Sequence, residues 1–193
     1  MNSRGKRGRR KPKELRPRDY AREHFPRDRE GRLLMPRVVR FRPRNGDVHP
    51  VEATVLRAKL LRLPLEYLYG LKRIELRARP GLVGQPYGYY RIGAKLIVLY
   101  SMPLRWRPGK DGGLDLILLG AVSSEFIGDD LRLSWRSPQR LESYFHEHVV
   151  LHEIGHHHSY QWRRSRRPAL YGRRQEAAAE LRADRLREKR RGR

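Results

Sequence analysis

Residues 152–156 read His-Glu-Ile-Gly-His. Two histidines four residues apart point the same way on an α-helix, so their imidazole nitrogens can converge on one metal ion. The glutamate beside the first of them, Glu153, then reaches a metal-bound water as general base. Zinc suits such a site, and it lowers the pKa of that water toward about 7, where a carboxylate can take the proton. The chemistry implied is hydrolysis. It needs a third ligand, and Glu180-Leu181-Arg182-Ala183-Asp184 offers one, with Glu180 24 residues after His156. Asp184 lies one helical turn beyond Glu180, where it could accept the outer N–H of a ligating histidine and fix its orientation. Glu176, one turn before Glu180, is the rival ligand. Glu180 is preferred because it has the aspartate one turn on and the small Ala183 beside it.

Other histidines are weaker candidates. His148 stands one turn before His152 but is followed by Val149 instead of a glutamate. His146, His157 and His158 read as exposed or polar-network residues. His24 and His49 have no recognisable context.

The elements that must carry these groups follow from periodicity. From Pro138 to Gln161 the pattern is helical: Ser137-Pro138 opens it, and Leu141, Phe145, Val149 and Leu151 recur on one face. Residues 163–174 are an Arg-rich loop, and Gln175–Arg187 is strongly helix-prone. Upstream, a helix is expected over about 50–62 and a short second one over 63–70, with Pro64 near its start and Gly70 just past its end. Ile74–Ala78 alternates as a strand. Tyr89–Ile92 and Ala94–Ser101 give further strands, with Gly93 as a turn or bulge, and Leu114–Val122 is an apolar run of strand length. Leu33–Phe41 reads as a short strand or extended segment.

Composition bounds the rest. The chain has 193 residues, a net charge of +24 and no cysteine, so disulfide scaffolds, Cys-type zinc fingers, Fe–S clusters and thiol catalysis are excluded. Residues 1–44 carry +12, 163–193 carry +9, and the body between them only +3. Two basic ends on a near-neutral body suit a polyanion such as nucleic acid. The 37 arginines against 8 lysines are also what GC-rich coding would give. No basic stretch is interleaved with aromatic residues. No apolar run spans a bilayer, and no apolar core follows the basic N-terminus, so a soluble cytoplasmic protein is expected. The domain reading is a basic, largely disordered arm over 1–44, one domain over 45–187 and a basic tail over 188–193.

His152-Glu153-Ile154-Gly155-His156 followed by Glu180-Leu181-Arg182-Ala183-Asp184 resembles the zinc-dependent gluzincins. The likeness is greatest to their minimal forms: minigluzincins, HtpX-like peptidase cores and ImmA/IrrE-type metallopeptidases. It covers residues 50 to 187. The resemblance implies an α+β fold, with a small mixed sheet packed on helices and the HExxH helix followed by a third-ligand helix. It implies Zn2+ held by His152, His156 and Glu180, Glu153 as base, and Asp184 orienting a ligand. Some gluzincins also use a Tyr or His to stabilise the oxyanion, a role the resemblance gives to Tyr171, between His156 and Glu180 in the sequence. The implied substrate is a protein or peptide, paired with a sheet edge that Ala94–Ser101 or Leu114–Val122 would form. ImmA/IrrE-type proteins are associated with cleaving DNA-bound regulators, which would give the basic ends a use. A SprT/Spartan-like role fits less well, since the third ligand there is usually a histidine and no suitable one follows His156. The alternative is a nucleic-acid-binding protein on a metallopeptidase-like scaffold, with its zinc site structural or vestigial.

Overall fold

The computed structural model describes residues 16–44, 46–80, 86–108, 114–162 and 173–191. The chain begins with α1 (Pro17–His24), β1 (Arg37–Arg40), β2 (Asp47–Val48), α2 (Ala53–Leu60) and α3 (Leu65–Leu68). Next come β3 (Arg73–Arg77), β4 (Gly88–Arg91), β5 (Leu96–Tyr100), β6 (Met102–Pro103) and β7 (Arg105–Trp106). Then follow α4 (Leu114–Leu118), β8 (Val122–Ile127), β9 (Asp130–Trp135) and α5 (Pro138–Tyr144). A π-helical turn, Phe145–Val150, leads directly into α6 (Leu151–Gln161), and α7 (Arg173–Arg191) completes the order. The class is α+β with small sheets.

The largest sheet has the order β1-β3-β5-β4, with β1, β3 and β5 parallel and β4 antiparallel at the edge. Small antiparallel sheets pair β2 with β6 and join β7-β9-β8. The unbroken apolar run of β5 reflects its place: an interior strand is covered on both faces and has no polar side to show. On one face Val38, Ile74, Leu76, Ile97 and Leu99 enter the main core with residues of the helices such as Leu56, Leu60, Phe145 and Ile154. On the other face the register sets Arg37, Arg73, Leu96 and Arg91 in one row across all four strands. The next row is Val39, Glu75, Val98 and Tyr89. Leu96 and Val98 are 2% and 1% exposed, yet neither belongs to the main core.

Four expectations change. The arm expected over 1–44 is folded from Pro17 onward, since Ala21 and Phe25 are buried one helical turn apart and the Tyr20 ring meets Tyr69 and Trp162 at 5.7 and 5.8 Å. Few apolar residues sufficed, because they share one face. Residues 1–15 lie outside the described residues. Likewise β1 joins the sheet ahead of the expected boundary at 45, and α7 runs through Arg191, so the basic tail is largely helical. The run Leu114–Val122 is a helix first and a strand only from Val122, because an apolar run does not by itself distinguish the two. Gly120, at φ +64°, ends that helix with its N–H on the Ile117 carbonyl. The β8–β9 hairpin carried no expectation: its outer residues Ser123, Ser124 and Glu125 are exposed and mask the strand pattern.

His157 fastens α6 to the sheet. It is fully buried, its Nε2–H donates to the Tyr69 carbonyl at 3.0 Å and its Nδ1 accepts from the Tyr90 hydroxyl at 3.0 Å. Burial pushes its pKa down to about 4 and that of Tyr90 up to about 12, so both stay neutral. Among the described residues no helix is long and apolar enough to cross a membrane. His157→Leu leaves the half-buried Tyr90 hydroxyl and Tyr69 carbonyl without this partner. A loss of about 2–3 kcal/mol in urea unfolding is expected, and an unchanged midpoint would contradict the fastening.

Candidate metal centre

The site begins with a helix crossing. Helix α7 returns along α6 with Ala179, Ala183 and Leu186 buried on its inner face. At the closest approach, a Cβ built on Gly155 would stand 2.5 Å from the Ala179 carbonyl oxygen. Only glycine admits α7 at that depth. The crossing sets which α7 side chains stand beside the histidines: Glu176, three residues before Ala179, and Glu180, one after it.

Glu176 Oε2 lies 3.1 Å from His152 Nε2 and 3.4 Å from His156 Nε2. The two Nε2 atoms are 3.0 Å apart. Among the described residues, His152, His156 and Glu176 form the group whose ligand atoms all fall within 4.8 Å. Glu180 does something else. Its Oε2 takes the Nδ1–H of His152 at 2.9 Å, the task expected of Asp184. Asp184 instead pairs with Arg187, which also donates to Glu180 Oε1 at 2.8 Å. Glu176 thus stands beside the two imidazole Nε2 atoms and Glu180 on the Nδ1 side of His152, each one helical turn nearer the start of α7 than the residue expected there. Sequence reasoning ranked Glu180 by its neighbours, but the depth of the crossing decides. The run Ala177-Ala178-Ala179 opposite a helix glycine was the available signal.

Arg187 reaches further still: its Nε donates to the Glu147 carbonyl at 2.9 Å. That carbonyl belongs to the π-helical turn, where the regular i→i+4 ladder is broken. One guanidinium thus ties the entrance of α6 to the carboxylate that orients His152. Burial alone would raise the pKa of Glu180, but the hydrogen bonds from Arg187 and His152 outweigh it and hold the carboxyl below its ordinary value. For His156, burial is the main cause of a lowered pKa, against the opposing pull of Glu176.

The donor set has the chemistry of a cation site. A carboxylate only accepts, so Glu180 takes the Nδ1–H of His152, and the tautomer with its proton there has a lone pair on Nε2. That lone pair faces a second imidazole nitrogen and another carboxylate oxygen. With both imidazoles protonated at Nδ1 the facing atoms are all acceptors, and at 3.0–3.4 Å they repel one another unless a cation sits among them. Ligand atoms about 2.0–2.1 Å from a tetrahedral zinc are about 3.3 Å apart, close to this spacing.

Glu153 stands next to the group, 7% exposed. Burial pushes its pKa up to about 7; the charge of His152 and the backbone N–H of Tyr90 lower it, and Glu176 raises it. A carboxylate so tuned exchanges protons near neutrality. Glu153, His152, His156 and Glu176 open into a cleft of about 400 Å³, bordered across from them by Tyr89 and Tyr90 of β4. The sheet edge at this cleft is β4. Neither expected edge serves: β5, within Ala94–Ser101, is interior between β3 and β4, because the β4–β5 hairpin folds β4 to the outside. Leu114–Val122 belongs to α4 and the start of another sheet. Gly88 lets β4 lie close, since a Cβ there would meet the Val98 carbonyl at 2.9 Å and Val149 at 3.1 Å.

Tyr171 lies outside the described residues. His148 stays out of the group and stacks on Tyr144 at 5.0 Å. Arg187, Tyr90 and Gly155 are supporting residues for which no role was read from the sequence. In comparisons with known proteins, the chain matches no family model, no curated protein and no solved structure.

Gly155→Ala must push α7 off α6. A loss of about 1–3 kcal/mol in chemical denaturation is expected; unchanged stability would contradict the close crossing.

Proposed function

We propose that this protein is a zinc-dependent metallopeptidase of the gluzincin type. The observation that carries the reading is the convergence of His152, His156 and Glu176 beside buried Glu153 in a cleft edged by a strand. His152, His156 and Glu176 would hold the ion, with Glu180 orienting His152. When bound, zinc supplies a Lewis acid that acidifies water and polarises a carbonyl. Glu153 takes a proton from the attacking water and passes it to the leaving amine, the exchange that a pKa of about 7 suits. Glu180 holds the Nδ1 proton of His152, and so keeps the Nε2 lone pair directed into the site. The backbone edge of β4 is the place where an extended peptide would add as a further strand, which fixes its register against Glu153. The substrate class, protein or peptide, follows from that edge and from the gluzincin resemblance.

Protein purified without a histidine tag is expected to carry about one zinc per chain by elemental mass spectrometry. His152→Ala and Glu176→Ala should lose it, whereas Glu180→Gln should keep it with roughly 10–100-fold weaker affinity. Zinc retained in Glu176→Ala and lost in Glu180→Gln would reverse the ligand assignment. Glu153→Gln should keep the metal and lose about 100-fold or more of peptide hydrolysis. Full hydrolysis in that variant would remove Glu153 from the reaction.

A further inference from the structure

We propose that the outer face of the β1-β3-β5-β4 sheet is a docking surface for single-stranded nucleic acid. The inference does not rest on the metal-centre reading, although Tyr89 also borders that cleft.

Its first support is charge. The row Arg37, Arg73, Leu96 and Arg91 sets three arginines across the sheet, and Arg77 follows on β3. The acidic residue of these rows is Glu75, whose side chain is 3% exposed and is already engaged: Arg73 Nε lies 2.9 Å from one oxygen and Arg77 Nε 2.6 Å from the other. Both arginine side chains remain about half exposed, at 50% and 48%. Glu75 thus acts as a clip that fixes two guanidinium planes on the face and leaves it net positive. Fixed guanidinium forks suit phosphate oxygens.

The second support is the aromatic rings set among those charges. Phe41 is 45% exposed and the Arg77 guanidinium lies 5.2 Å from its centroid. Tyr89 is 37% exposed, and its ring lies 6.0 Å from that of Tyr100. Exposed rings beside arginines on a sheet offer stacking platforms for unpaired bases, while the cations follow the backbone.

The main core takes the Ile74 and Ile97 side, and the half-exposed arginines and the exposed rings stand on the opposite side of the same strands. A duplex has phosphates but no free base faces, so the rings select single strands. The net charge of +24 favours the encounter with any polyanion.

The test uses the full-length protein, with fluorescent oligo(dT), oligo(U) and a DNA duplex, read by anisotropy across a salt titration. Phe41→Ala and Tyr89→Ala are each expected to weaken single-strand binding about tenfold and to leave duplex binding, carried by charge alone, nearly unchanged. Tyr89→Phe keeps the ring and should bind as the parent does. Arg91→Gln should weaken all three probes and reduce the salt slope by about one. If oligo(dT) and oligo(U) both fail to bind, if the ring variants bind them normally, or if duplex and single strand lose equally, the proposal is overturned. Should either alanine variant melt early by circular dichroism, the Tyr89→Phe and Arg91→Gln results decide: parent-like binding by Arg91→Gln, or loss by Tyr89→Phe, overturns it equally.

Discussion

The contact of Gly155 with the Ala179 backbone is the constraint on which the rest of the site depends. It sets how deep α7 lies on α6, and depth along a helix pair decides which side chains meet. With Ala179 at the crossing, Glu176 comes to His152 Nε2 and Glu180 to its Nδ1. The same imidazole is thereby addressed from both sides by one helix: one carboxylate stands where a ligand would, the other holds the opposite proton. Arg187, nearly two turns beyond Glu180, carries the arrangement back to the Glu147 carbonyl in the π-helical turn. The irregularity at the start of α6 thus has a partner, and that partner also touches the centre.

Strand β4 divides the molecule's surfaces by simple alternation. Tyr90 turns inward to His157, and its backbone N–H supports Glu153. Tyr89, one residue earlier, belongs to the row on the opposite face, with Val39, Glu75 and Val98. A period of two residues lets one short strand border a cleft and take part in a basic, aromatic sheet face. Because β4 is an edge strand, it pairs only with β5 in the sheet, and Tyr90, through His157 and Glu153, ties it to α6 as well.

What was legible in the sequence was local. The spacing of His152 and His156, the helix on which they stand, the strand at Ile74 and the strand–turn–strand around Gly93 all depend on near neighbours. What was not legible depended on tertiary depth or register. Glu176 and Glu180 are both carboxylates one turn apart, and nothing local separates them; the Gly155–Ala179 contact does. Helix α1 sits in an Arg-rich segment, where a few apolar residues on one face outweigh the composition. The run at Leu114 satisfies both helix and strand patterns, and the glycine that divides it is decisive only once the flanking bonds form. The basic aromatic face is invisible along the chain, because its residues interleave across strands that are distant in sequence.

The most direct measurement is an anomalous-difference map at the zinc edge, from crystals of the full chain grown with one equivalent of zinc. A single strong peak is expected about 2.0–2.2 Å from His152 Nε2, His156 Nε2 and a Glu176 oxygen, with Glu180 still on His152 Nδ1. A peak coordinated by Glu180 in place of Glu176, or no peak between the two histidines, would contradict the assignment of this centre.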